Sequence, residues 1–169
     1  MITLFLGGAS SGKSEVAERY TSTRAEPVTY VATWVREIGG EPDPAMDARV
    51  AAHRARRPPT WALREVDADL AAALRTIRGT ALIDALGTWV ACAPEMTVDV
   101  VGLCAALTER DGDTVVVSDE VGLGVHPSTA VGGRFRETLG RLNASVAAVA
   151  DEAWLVVAGR VVPLTWPGW

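Results

Sequence analysis

The chain has 169 residues and a net charge of −5, with 49% hydrophobic and 22% charged residues. That length suits one domain, residues 1–169, in which roughly 68–70% of the unfolded surface can be buried. The acidic balance argues against wholesale binding to nucleic acid or an anionic membrane, and no apolar run of about 18 residues offers a membrane span.

In chain order, Ile2 to Leu6 is a short apolar run that predicts a buried strand. The glycine- and serine-rich stretch GGASSGKS follows at 7–14, and Ser14 to Arg24 reads as a helix with Val16, Ala17 and Tyr20 on one side. Val28 to Ala32 is a second strand, and VREIGGEPDP at 35–44 is a Gly- and Pro-rich loop. AMDARVAAHRARR at 45–57 reads as a helix stopped by Pro58 and Pro59. A short helix is expected over Asp69 to Ile77, and a buried strand over Ala81 to Asp84. A helix over Val98 to Arg110 and a strand over Thr114 to Ser118 come next, then a long glycine-rich loop at 121–133. A helix over Arg134 to Ala150 and a hairpin of Trp154–Val157 with Val161–Leu164 close the chain. Strands alternating with helices place it in the α/β class with a mostly parallel sheet. Cys92 and Cys104 form no CxxC pair and have no histidine beside them, so they read as reduced, buried thiols of a cytoplasmic protein. The N-terminus lacks a basic region and a cleavage site, so no signal peptide is expected.

GGASSGKS fits G-x-x-x-x-G-K-[ST], with Gly7, Gly12, Lys13 and Ser14 in the fixed places, an apolar strand before it and a helix after it. Glycines let successive backbone N–H groups turn inward on phosphate oxygens, and the helix start adds its positive end. Lys13 is the one lysine of the chain; the other basic residues are arginines. It is placed to reach the β- and γ-phosphates, with the Ser14 hydroxyl on Mg²⁺. Such a loop usually works with a carboxylate at the end of a neighbouring strand. Asp84 is preferred because its strand is short, apolar and ends cleanly; Asp119 is the rival. Binding of a nucleoside triphosphate follows, but not the reaction.

His53 stands out from His126, which sits before Pro127 in the glycine-rich loop. On the 45–57 helix, Met46, Val50, His53 and Arg57 share one face. Arg49, Arg54, Arg56, Arg57 and Arg64 crowd into residues 49–64 of an otherwise acidic protein. Neighbouring cations keep the imidazole neutral and nucleophilic, and they neutralise a triphosphate and a departing pyrophosphate. That suits attack of an imidazole nitrogen on a nucleotide phosphorus. A solvated basic helix face is the alternative.

Taken with YVAT (30–33), MDARVAAHRARRP (46–58), Trp61, Glu65, LIDALGTW (82–89), SDEVGLGVHP (118–127), RFRETLGRLN (134–143) and ADEAWLVVAGRVVPL (150–164), the chain resembles a known family over nearly its whole length. This is the bifunctional adenosylcobinamide kinase / adenosylcobinamide-phosphate guanylyltransferase family of cobalamin biosynthesis. The resemblance implies a P-loop α/β domain of the RecA-like kind, usually a homotrimer. It implies phosphorylation of adenosylcobinamide by ATP or GTP, then transfer of GMP from GTP to that phosphate through a covalent histidine intermediate, here His53. Residues carried over as the phosphate site are Gly7, Gly8, Ala9, Ser10, Ser11, Gly12, Lys13 and Ser14. Ala32, Thr33, Trp34, Arg54, Ala55, Arg56, Arg57, Glu65 and Asp84 are carried over as further nucleotide contacts, with Ser14 and Asp84 toward Mg²⁺. Ser10 stands where the family commonly has arginine, Asp119 where it has asparagine, and Ala45 where it has an acidic residue. Neither the Ser10 nor the Asp119 departure replaces Lys13, Ser14 or His53, so both activities are expected to survive. A kinase without guanylyl transfer and a RecA-like nucleotide-dependent assembly module remain as alternatives.

Overall fold

The computed structural model describes residues 1–33, 51 and 56–167. Seven strands form one sheet: β1 (Ile2–Gly7), β2 (Val28–Ala32), β3 (Ala62–Glu65), β4 (Thr80–Asp84), β5 (Thr114–Asp119), β6 (Glu152–Val157) and β7 (Arg160–Pro163). Their order across the sheet is β3-β2-β4-β5-β1-β6-β7, and every neighbouring pair is parallel except β6–β7. The helices are α1 (Lys13–Thr21), α2 (Leu70–Thr76), α3 (Leu86–Cys92), α4 (Val100–Glu109) and α5 (Ala130–Val149). This is the expected α/β class with its C-terminal hairpin.

The central strands are continuous apolar runs because both of their faces are covered. On one face Leu4, Val31, Ile83 and Val116 pack with Leu74, Leu103, Leu107, Leu139 and Leu142 from α2, α4 and α5. On the other, Phe5, Tyr30, Leu82 and Val117 pack with Ala17 of α1. Burying each large aliphatic side chain contributes about 1.5–3 kcal/mol. A one-residue slip of register would therefore exchange the two face sets at large cost.

Asp69, Asp99 and Thr129 cap α2, α4 and α5, accepting from the N–H groups of Ala72, Gly102 and Gly132 at 2.8, 2.8 and 3.1 Å. The last cap moves the start of α5 to Ala130, four residues before the Arg134 start expected from the sequence. One strand and one α-helix were not expected at all. Edge strand β3 is mostly exposed, so it lacks an apolar run. Helix α3 contains Gly87 and Val90, which are poor helix formers, but burial of Leu86, Trp89 and Val90 holds it. Among the described residues Cys92 and Cys104 form no disulfide, and both are half-buried rather than buried. Burial pushes the Cys104 thiol up. The expected helix over 45–57, except Ala51, Arg56 and Arg57, lies outside the described residues, as do Trp34, His53, Arg54 and Ala55. No helix among the described residues is long and apolar enough to cross a membrane.

Candidate nucleotide site

The carboxyl ends of β1, β4 and β5 converge on the glycine loop. Gly7 pairs with Asp119 across β1–β5, and its carbonyl accepts from the Glu120 N–H at 3.0 Å. Gly8 follows, and its carbonyl accepts from the Ser11 N–H and from Lys13 Nζ, each at 3.2 Å. Ala9 and Ser10 form the exposed crest. Gly12 has φ +86°, a left-handed conformation that favours glycine, and a side chain there would crowd the Gly159 backbone. The turn of the β6–β7 hairpin supports the loop here, because the Gly159 N–H donates to the Ser11 carbonyl at 2.8 Å.

Two carboxylates meet this loop at different points. Lys13 Nζ lies 2.7 Å from Asp119 Oδ1, with the two side chains 12% and 31% exposed. The Ser14 hydroxyl donates to Asp84 Oδ1 at 3.0 Å. So both sequence candidates are at the loop: Asp84 beside the helix-start hydroxyl, Asp119 beside the lysine. The Asp119 carboxylate also lies against Gly87, whose bare Cα makes room for it. The Asp119 carbonyl accepts from Asn143 Nδ2 at 2.9 Å, and the Ser118 hydroxyl donates to Asn143 Oδ1 at 2.6 Å, tying α5 to the end of β5.

Behind Asp84 lies a residue that the sequence did not single out. The Tyr30 hydroxyl donates to Asp84 Oδ2 at 2.6 Å. Burial pushes its phenol far above the usual tyrosine range, and the adjacent Asp84 carboxylate adds to the effect, so the hydroxyl stays a donor. The guanidinium of Arg57 lies over the Tyr30 ring, 3.8 Å from its centroid. Arg56 donates through Nε and Nη2 to the two carboxylate oxygens of Glu18 in α1, at 2.9 and 3.3 Å. Glu18 is only 5% exposed, and its carboxylate holds the Arg56 guanidinium above its usual range. Nothing in the sequence marked this anchor: Glu18 reads there as one more charge of the helix, and its burial appears only with the fold.

Ala32 pairs with Asp84 on one side and with Glu65 on the other. The Thr33 hydroxyl is buried and donates to the Ala85 carbonyl at 2.5 Å, which locks the end of β2 to the β4–α3 junction. Glu65 ends the edge strand β3 and is exposed, separated from β5 by β2 and β4. The structure thus brings Gly7, Gly8, Gly12, Lys13, Ser14 and Asp84 together, with Arg57 reaching them through Tyr30. It sets Glu65 at the rim and turns Arg56 onto Glu18.

Ser14 and Asp84 offer a hydroxyl and a carboxylate at the helix start, a hard-oxygen donor set that suits Mg²⁺. Beyond Asp119, a groove of about 390 Å³ opens between Glu120–Gly122 and α5, lined also by His126, Arg136 and Arg141.

Comparison with known proteins bears on the fold and on the family. An ATPase from the type III secretion system of pathogenic bacteria superposes with a TM-score of 0.53 at 12% identity, covering 91% of this chain and 50% of that one. That likeness concerns the fold alone. The bifunctional adenosylcobalamin biosynthesis protein CobP of Pseudomonas aeruginosa is 36% identical, covering 97% of each chain. The bifunctional adenosylcobalamin biosynthesis protein CobU of Salmonella typhimurium is 37% identical, covering 94% of this chain and 97% of the relative. Residues 3–164 match the family described as cobinamide kinase / cobinamide phosphate guanyltransferase, and the chain belongs to that family.

Proposed function

We propose that this protein phosphorylates adenosylcobinamide with ATP or GTP and then transfers GMP from GTP to the new phosphate, yielding adenosyl-GDP-cobinamide. The observation that carries the reading is the pairing of Lys13 and Ser14 with two strand-end carboxylates at a glycine loop, in a chain of this family. In the first step the acceptor hydroxyl oxygen bonds to the γ-phosphorus, the bond to the β-bridging oxygen breaks, and the hydroxyl proton is released. The protein's part is positioning and charge neutralisation: loop N–H groups and Lys13 bind the phosphates, and Ser14 and Asp84 would hold Mg²⁺. When bound, that cation neutralises phosphate charge.

In the second step a nitrogen of His53 bonds to the α-phosphorus of GTP and pyrophosphate departs. The cobinamide phosphate oxygen then takes the GMP, and the N–P bond breaks. This assignment rests on the sequence, where His53 stands among five arginines of residues 49–64, cations that disfavour its protonation. The protein is read as a cytoplasmic homotrimer on the strength of its family.

Incubation with Mg²⁺ and GTP labelled at the α-phosphate tests the scheme. Protein-bound label is expected, stable to base and released by acid, and absent from His53→Ala, which still phosphorylates cobinamide. Phosphorylation without label would reduce the activity to a kinase, and absence of both would return the nucleotide-dependent assembly reading.

A further inference from the structure

Tyr30 is only 4% exposed and lies in the interior strand β2, on the face that packs against α1. Its two ends meet different parts of the site. The hydroxyl donates to Asp84 Oδ2, while Asp84 Oδ1 accepts from Ser14. The ring face carries the guanidinium of Arg57, four residues after His53 in the sequence. A carboxylate has two equivalent oxygens, and a donor fixed on one sets the direction of the other. The buried phenol supplies such a donor, in a strand whose register with β4 pairs Tyr30 with Leu82, two residues before Asp84. The guanidinium meets the ring face of the same side chain, whose π-electrons attract the cation.

We infer that Tyr30 is a positioning residue serving both halves of the chemistry, its hydroxyl aiming Asp84 at the Ser14 cation position and its ring seating Arg57 for the guanylyl transfer. The inference rests on the proposed two-step reading.

Tyr30→Phe separates the two roles, since it removes the hydroxyl and keeps the ring. The first readout is binding of Mn²⁺ by the protein–GDP complex, followed by electron paramagnetic resonance. Binding is expected to weaken about tenfold, the usual effect of removing a hydrogen bond that orients a metal-binding carboxylate. The Mg²⁺ requirement for phosphorylation should rise by a similar factor, with kcat recovering at high Mg²⁺. A merely structural role would lower kcat at every Mg²⁺ concentration and leave Mn²⁺ affinity alone; that outcome, or no change in either readout, overturns the assignment. Tyr30→Leu removes the ring too, and the α-phosphate label transferred from GTP should fall further than in Tyr30→Phe. Equal labelling of the two variants, at matched thermal stability, would remove Arg57 seating from the role. If the wild-type protein does not phosphorylate cobinamide while Tyr30→Phe still weakens Mn²⁺ binding, the two-step reading fails and the aiming of Asp84 stands.

Discussion

At the amino ends of β4 and β5, Arg110 donates through Nη1 to the Asp113 carbonyl and the Thr114 hydroxyl at 2.8 and 2.7 Å. Through Nη2 it donates to the carbonyls of Ile77 and Gly79 at 3.2 and 2.7 Å. At the carboxyl ends of the same sheet, Lys13 meets the Asp119 carboxylate and the Gly8 carbonyl. Both cations are partly withdrawn from water. The guanidinium at the lower end is committed to several fixed backbone acceptors, so no ligand could take it without opening the sheet. Burial lowers its pKa from the usual arginine value, yet so high a starting value leaves it charged. The ammonium at the upper end can exchange a single carboxylate for a phosphate oxygen while its neighbours keep their places. The number and rigidity of a cation's partners, rather than its burial, separates architecture from a binding site.

The largest effect that would break this contrast comes from Lys13→Ala. Loss of the loop's cation should lower kcat/KM for cobinamide phosphorylation by about 10²–10³-fold, the range for removing one preorganised group from a developing charge. Unfolding free energy should change by less than about 1 kcal/mol, because the pair it leaves is partly exposed. Denaturant titration beside steady-state kinetics checks both halves. A stability loss as large as the activity loss would make Lys13 architectural as well.

Arg110→Ala should show the reverse. Several charge-assisted hydrogen bonds disappear and the carbonyls of Ile77 and Gly79 lose a donor, at a cost of about 3 kcal/mol in unfolding free energy. Nucleotide affinity, measured by calorimetry with GDP, should stay within about twofold, since the change lies at the opposite end of the strands. A large loss of affinity at unchanged stability would erase the distinction between the two ends.

Much of this contrast was legible in the sequence at one end and little at the other. The glycine loop carries local signals: an apolar strand, fixed glycines, the lone lysine and a helix, all within the first two dozen residues. Their order is carried by the local sequence, so strand, loop and helix follow one another as expected. Asp84 was legible because a short apolar strand ends on it. Arg110 was not, because its acceptors are backbone carbonyls of Ile77, Gly79 and Asp113 that only strand pairing brings together. Tyr30 was hidden for the same reason. Inside a strand it reads as one more large core residue, and only the β2–β4 register puts its hydroxyl on a carboxylate. Helix α3 was masked by residues of weak helix propensity whose burial decides the matter. Where a feature depends on contacts local in sequence it can be read early. Where it depends on register between strands distant in the chain it cannot.

The smallest expected effect sharpens the contrast most. Among the described residues Asp119 is the one carboxylate at Lys13, and a phosphate arriving at the lysine has to compete with it. Asp119→Asn keeps the side chain's size, so it still fits against Gly87, and the bond from Asn143 survives because it is made to the Asp119 backbone carbonyl. Only the charge is removed. The lysine then keeps a single neutral acceptor, the Gly8 carbonyl, and the site loses a negative charge close to where the phosphates bind. A partly exposed ion pair is worth on the order of 1 kcal/mol, so GDP binding should tighten about fivefold, and the gain should shrink as salt is raised. Calorimetry at two ionic strengths checks the size and the salt dependence together. Weaker binding in Asp119→Asn would mean that the carboxylate helps to hold the nucleotide, most simply by sharing its cation with Asp84. The pair at Lys13 would then be part of the loaded site and not a partner that phosphate displaces.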